Sequence, residues 1–211
     1  MSPLLSKILL LLSSLLHLSS VSFSLSPLSV CTGKSCSRLS SPGTLRTLRL
    51  LAGEEVATST DCLGRCDDGP NIVDNKEGRV YTSVSASDVV LMSAVLQVSA
   101  SVPEIPSGVL DLCESYLAAA GSPEAERPGL LRGCVEALWG LTPSDRSRYR
   151  HLTSSIILDH CDSARVTEES LELAEYAVGL SPGHYRRYVL SEMYVEVGRN
   201  CDALECLEEW G

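Results

Sequence analysis

Residues 30–53 read VCTGKSCSRLSSPGTLRTLRLLAG, and residues 61–71 read DCLGRCDDGPN. Ser41 followed by Pro42 opens a helix, because proline at the first helical position gives up no intrahelical hydrogen bond. Leu45, Leu48 and Leu51 then recur on one face, and Gly53 supplies the stop. Residues 54–59 have the Val-Ala-Thr flavour of a short strand, and residues 61–71 form a loop punctuated by Gly and Pro. Further on, Ile72-Val73 and residues 79–82 read as two short strands with a turn at 74–78. Ser85 with Asp88 makes a capping box that opens a helix through Val89, Val90, Met92, Val95 and Leu96. The resulting order β-α-β-β-β-α predicts a small α/β layer. Both pairs of cysteines in these stretches follow strand ends, so they can meet at one edge of the sheet.

The cysteines decide the chemistry. Nine are present, an odd number that cannot all pair in disulfides. Cys31 and Cys36 are separated by four residues, Cys62 and Cys66 by three, with 25 residues between the pairs. Four converging thiols admit three outcomes. Structural zinc takes four tetrahedral thiolates from such pairs. A 2Fe–2S cluster takes four Cys thiolates, two per iron, from looser spacings. Two disulfides form where the compartment is oxidising. The closely spaced Cys run of 4Fe–4S proteins is absent, and so is the CxxC of a thioredoxin-type dithiol.

The stretches VCTGKSCSR, CLGRCDDGPN and GRVYTSV, and the SASDV helix start, resemble the thioredoxin-like 2Fe–2S ferredoxins, which include the small 2Fe–2S subunit of respiratory complex I. The likeness covers about residues 28–98. It implies a thioredoxin-like fold with Cys31, Cys36, Cys62 and Cys66 as ligands of a 2Fe–2S cluster, and Gly69-Pro70 as the turn beside it. Gly64, between the second pair, lets backbone N–H groups approach sulfur. The 25-residue gap is short for the complex I subunit and points to a minimal relative. Lys34, Arg38 and Arg65 are balanced around the ligands by Asp61, Asp67 and Asp68.

Working outward, residues 1–27 read as a targeting leader. Residues 1–30 hold eleven Leu and ten Ser with Lys7 as the only charge, which is the make-up of a secretory-type signal. The stretch is too short and too Ser-broken for a permanent membrane span. Val21-Ser22-Phe23-Ser24 resembles the junction in bipartite presequences of algae with secondary plastids, so a chloroplast stroma is the expected location, with secretion or a mitochondrion as alternatives. The chain carries a formal charge of −10, and no acid precedes Glu54. From there on, twelve basic residues face twenty-seven acidic ones. Such a surface repels phosphate backbones and argues against nucleic acid.

Pro103 and Pro106 mark residues 102–107 as a linker between a ferredoxin-like part at 28–101 and an all-helical part at 108–211. The two differently patterned halves are expected to fold separately. Helical patterns run over 108–120, 128–141, 145–160, 167–180, 184–197 and 200–210. Ala174, Ala177 and Pro182, followed by Leu190, Tyr194, Gly198, Ala203 and Leu207, resemble a tetratricopeptide repeat and its successor. Cys113, Cys134, Cys161, Cys201 and Cys206, set among Leu and Val, read as small buried hydrophobes. His17, His151, His160 and His184 have no partner pattern, and no Ser-His-Asp order, phosphate loop or HExxH occurs. The expectation is an α+β electron carrier or redox sensor without catalytic activity of its own, docking a redox partner protein through its helices. An adaptor with structural zinc and a secreted disulfide-bonded repeat protein are the alternatives.

Overall fold

The computed structural model describes residues 26–65, 68–164 and 166–208. Nearly all of the expected leader lies outside these residues, as do Cys66 and Asp67. The first half contains β1 (Leu28–Cys31), α1 (Lys34–Arg38), α2 (Ser41–Ala52), β2 (Ala57–Thr60), β3 (Ile72–Asp74), β4 (Val80–Tyr81) and α3 (Val89–Ala100). The second contains α4 (Ser107–Gly121), α5 (Arg127–Gly140), α6 (Pro143–Arg148), α7 (Arg150–Asp162), α8 (Glu168–Leu180), α9 (His184–Glu196) and α10 (Asn200–Glu208). The architecture is mixed α+β, as the patterns predict.

The sheet has the order β2-β1-β3-β4. β1 pairs with β2 in parallel, Val30 opposite Ser59, and with β3 antiparallel, Val30 opposite Ile72. A parallel pair needs a crossover, and α1 with α2 provides it. β3 and β4 pair antiparallel through a short turn. There the Asp74 carboxylate accepts the N–H groups of Lys76 (2.8 Å) and Glu77 (3.1 Å), and Gly78 takes up a positive φ of 70°. The Gly69–Pro70 peptide, just before β3, is cis.

Three boundaries differ from the sequence reading. The cap of α3 is Asp88, whose side chain accepts the Leu91 N–H at 2.9 Å; Ser85 lies before it in a turn held by its own hydroxyl contacts. The helix expected over 145–160 is two helices, broken at Tyr149 (φ −96°, ψ 43°). Thr142 caps the first of them, accepting the Asp145 N–H, and Pro143 begins it. β2 starts at Ala57 because Glu54 and Glu55 are taken up in the turn after Gly53.

One hydrophobic core runs through both halves, from Leu28 and Val30 to Leu190 and Ala203. Helix α2 touches β1, β2, α3, α4 and α7. Such all-round contact makes partners for its buried hydroxyls valuable, and its two threonines have them, although the buried Ser41 hydroxyl has none among the described residues. Thr44 donates to the Val84 carbonyl (2.8 Å) and Thr47 to those of Gly43 and Ala86 (3.1 Å each). Ile105, only 3% exposed, pins the 102–107 segment against the same core. Between the halves, Arg46 of α2 donates to the Tyr116 hydroxyl of α4 at 2.5 Å, and that hydroxyl donates to Asp159 of α7 at 2.7 Å. Arg46 also lies 3.6 Å from Asp159.

Tyr116 is fully buried and its hydroxyl links Arg46 to Asp159, so losing it removes both hydrogen bonds while the partly exposed Arg46–Asp159 ion pair remains. Tyr116→Phe is expected to lower stability by about 1–3 kcal/mol, measured by urea unfolding. Far-UV ellipticity and Trp139 fluorescence should superimpose, because the halves share a core. Separate midpoints for the wild type would show instead that the halves fold independently.

Candidate functional site

The end of β1 carries the first thiol into place. Cys31 is its last residue, and its N–H donates to the Asn71 carbonyl at 2.9 Å. Thr32 then fastens the exit of the strand to β2, giving both its N–H (2.9 Å) and its hydroxyl (3.1 Å) to the Thr60 carbonyl. Gly33 precedes α1, and one turn later Cys36 is buried on the inner side of that helix. The loop from residue 61 folds back over this corner and brings Cys62 to it.

Two glycines make the closeness feasible. A Cβ on Gly33 would stand 2.9 Å from the Cβ of Cys62, and one on Gly69 would stand 2.9 Å from the Cys36 sulfur. Gly64 brings its own N–H toward a cysteine sulfur, as expected. Its φ of +75° turns the loop, its own N–H lies 3.4 Å from Cys62 Sγ, and nothing crowds its missing side chain. In the sequence Gly69 stands out through the Gly69-Pro70 turn, whereas Gly33 is an ordinary loop glycine between Cys31 and Cys36.

The thiols sit in a donor-rich corner. Burial alone pushes the Cys31 thiol up, but hydrogen bonds from the N–H groups of Leu63 and Gly33, together with the side chains of Cys36 and Cys62, outweigh it and lower its pKa. Asn71, fully buried, donates from Nδ2 to the Arg65 carbonyl at 2.6 Å, with Cys36 Sγ 3.7 Å away. Sequence reading missed this asparagine. Cys62 is exposed, as are Lys34, Arg38, Asp61, Arg65 and Asp68, so the corner opens to solvent.

Cys31, Cys36 and Cys62 therefore come together; Cys66, the fourth expected ligand, lies outside the described residues. Among the described residues no group of three or more His, Cys, Asp or Glu forms a metal-holding set. In the helices, Cys113, Cys134 and Cys161 are buried as expected. Burial, with Glu114 nearby, pushes the Cys113 thiol up to about 12; burial and Asp162 push Cys161 up to about 11. Cys201 and Cys206 correct the reading of five buried hydrophobes. Cys201 is exposed and Cys206 half-buried, because α10 fully buries only Ala203 and lays Cys206 against the edge of the core.

Gly33→Ala and Gly69→Ala should each lower stability by about 1–3 kcal/mol through overpacking. Both should speed the reaction of the buried thiols with a disulfide reagent. Gly64→Ala should cost about 1 kcal/mol of backbone strain and leave thiol reactivity unchanged. Equal reactivity in all three variants would show that the glycines do not shape the thiol corner.

No protein-family model matches this chain, nor does any curated protein or any solved structure. What the corner does has to be read from its own chemistry.

Proposed function

We propose that this chain is a 2Fe–2S protein that carries single electrons or senses redox state. Cys31, Cys36, Cys62 and Cys66 are its cluster ligands, and the helical half docks a partner. The observation that carries the reading is the meeting of Cys31, Cys36 and Cys62 in a corner walled by Gly33 and Gly69. Cluster ligands are thiolates, and the lowered Cys31 thiol fits that demand. Bound there, a 2Fe–2S group would take up and release one electron at a time.

The chain's own groups are suited to such an occupant. The N–H groups of Leu63, Gly33 and Gly64 point positive charge at the sulfurs, which favours an anionic thiolate set. The exposure of Cys62 leaves the sulfurs reachable by a partner. The strand order β2-β1-β3-β4, with the thiols after β1 and before β3, supports the thioredoxin-like assignment of the first half. In the second half, Ala174 and Ala177 are fully buried where α8 packs on its neighbours, as paired repeat helices require. No described helix is long and apolar enough to cross a membrane. We place the protein in a chloroplast stroma reached through the signal-type leader, since a reducing space keeps such thiols unpaired.

Anaerobic reconstitution tests the reading. The wild type is expected to take up iron and sulfide in equal amounts and turn brown-red. Cys31→Ser, Cys36→Ser, Cys62→Ser or Cys66→Ser should abolish or alter the visible and paramagnetic-resonance spectra, whereas Cys113→Ser and Cys134→Ser should leave them unchanged. Stoichiometric zinc in colourless protein would make the adaptor reading correct. A wild-type spectrum in a Cys62→Ser, Cys66→Ser double variant would sink the ligand assignment.

A further inference from the structure

Away from the cysteines, a cleft of about 590 Å³ opens where α2 of the first half faces α7 and the start of α9 in the second. Its charged and titratable lining includes Arg46, Arg49, Glu54, His151, Asp159 and Arg186. In a chain of net charge −10, three guanidiniums in one cleft are a local reversal of sign.

The two carboxylates are fewer than the three guanidiniums, and Glu54 and Asp159 favour the Arg186 cation without forming an ion pair with it. Asp159 is committed to the Tyr116 hydroxyl and Arg46. Glu54 is exposed at the rim. Arg49 gives its Nε to the Ala57 carbonyl at 3.0 Å, and Arg186 reaches only the Ser155 hydroxyl, at 3.5 Å. Among the described residues neither Arg49 nor Arg186 forms an ion pair. Burial of the Arg186 guanidinium lowers its pKa, so the cation is held there against desolvation. His151 adds a polar ring: its Nδ1 is 2.9 Å from the Ser181 hydroxyl, and its Nε2 is buried without a partner among the described residues.

Helix α9 departs from the usual rule in the same place. It opens Gly183-His184-Tyr185-Arg186-Arg187, with no side-chain cap and no acid in its first turn. Two arginines at a helix N-terminus oppose the macrodipole, and a bound anion reverses that conflict by meeting both the guanidinium and the helix end.

We propose that this cleft binds a small polyanion, a phosphate ester or a polycarboxylate, between Arg49, Arg186 and the N-terminus of α9. Its volume is within the range of small-ligand sites, and planar guanidiniums suit either kind of oxyanion. The ligand would bridge the two halves of the chain, so binding stabilises their junction.

Calorimetric titration of the full chain with pyrophosphate and, separately, citrate at constant ionic strength tests this. One of the two is expected to bind with one-to-one stoichiometry and raise the melting temperature; which one does so identifies the oxyanion class. Arg186→Gln and Arg49→Gln should each weaken binding about tenfold. Glu54→Gln, at an exposed position, should tighten it. If Arg186→Gln does not fold, Arg186→Lys, which keeps the charge but loses the fork, should still bind more weakly than wild type. The assignment is overturned if the wild type binds neither anion at millimolar concentration, or if the Arg49 and Arg186 variants bind as the wild type does. Binding of a Glu-rich peptide without either small anion would make the cleft a protein-docking site and overturn it as well.

Discussion

The hydroxyl of Tyr116 is the point on which the two halves turn. It accepts from Arg46 on α2 and donates to Asp159 on α7, while its ring is fully buried. Burial and Asp159 both push its pKa upward, so the hydroxyl stays protonated and keeps donating across the pH range of a cell. The arrangement links three helices that are distant in sequence and fixes how α2 lies against the helical half. Everything α2 presents elsewhere inherits that placement: Leu45, Leu48 and Leu51 in the core, Thr44 and Thr47 to the 84–86 carbonyls, and Arg49 to the cleft.

Identical side chains in this protein are driven in opposite directions by their surroundings. Cys113, Cys134 and Cys161 are buried without compensating donors, and their thiols are pushed up, which makes them inert apolar fillers at neutral pH. Cys31 is as inaccessible to solvent as they are but lies nearer the surface, and two backbone N–H groups and two neighbouring cysteines lower it. A lack of solvent exposure therefore does not by itself separate structural from reactive cysteines here. What accompanies the lowered thiol is a set of backbone donors, supplied at the end of β1 and by the loop folded over it.

Much of the fold was legible because its signals are local. Pro42 and Gly53 bracket α2, Asp74 and Gly78 make the β3–β4 turn, and the helix boundaries of the second half fall within a few residues of their Gly and Pro punctuation. What was not legible depends on contacts between distant residues. The break at Tyr149 falls within a continuous helical pattern, where Tyr149 turns into the core between α6 and α7. The prolines at 103 and 106 read as a linker, and nothing local says that Ile105 between them is buried. The cysteine pairs were legible by spacing, but Asn71 and the crowding at Gly33 and Gly69 arise only when the 61–71 loop meets α1.

Helix α2 also joins the two chemically distinct places. Its start follows α1, which carries Cys36, through Ser40 in a left-handed conformation (φ 71°). Its later turns present Arg46 and Arg49 to the cleft. A non-glycine residue with positive φ is held there only by its surroundings, here by the Ser40 N–H bond to the Ser37 carbonyl and the Thr44 N–H bond to its own carbonyl. The stretch from thiol corner to cleft is thus one short helix, a fixed joint and a buried helix, with little freedom in between. The thiol corner and the cleft are built on consecutive helices, Cys36 on α1 and Arg46 and Arg49 on α2, which pack against each other.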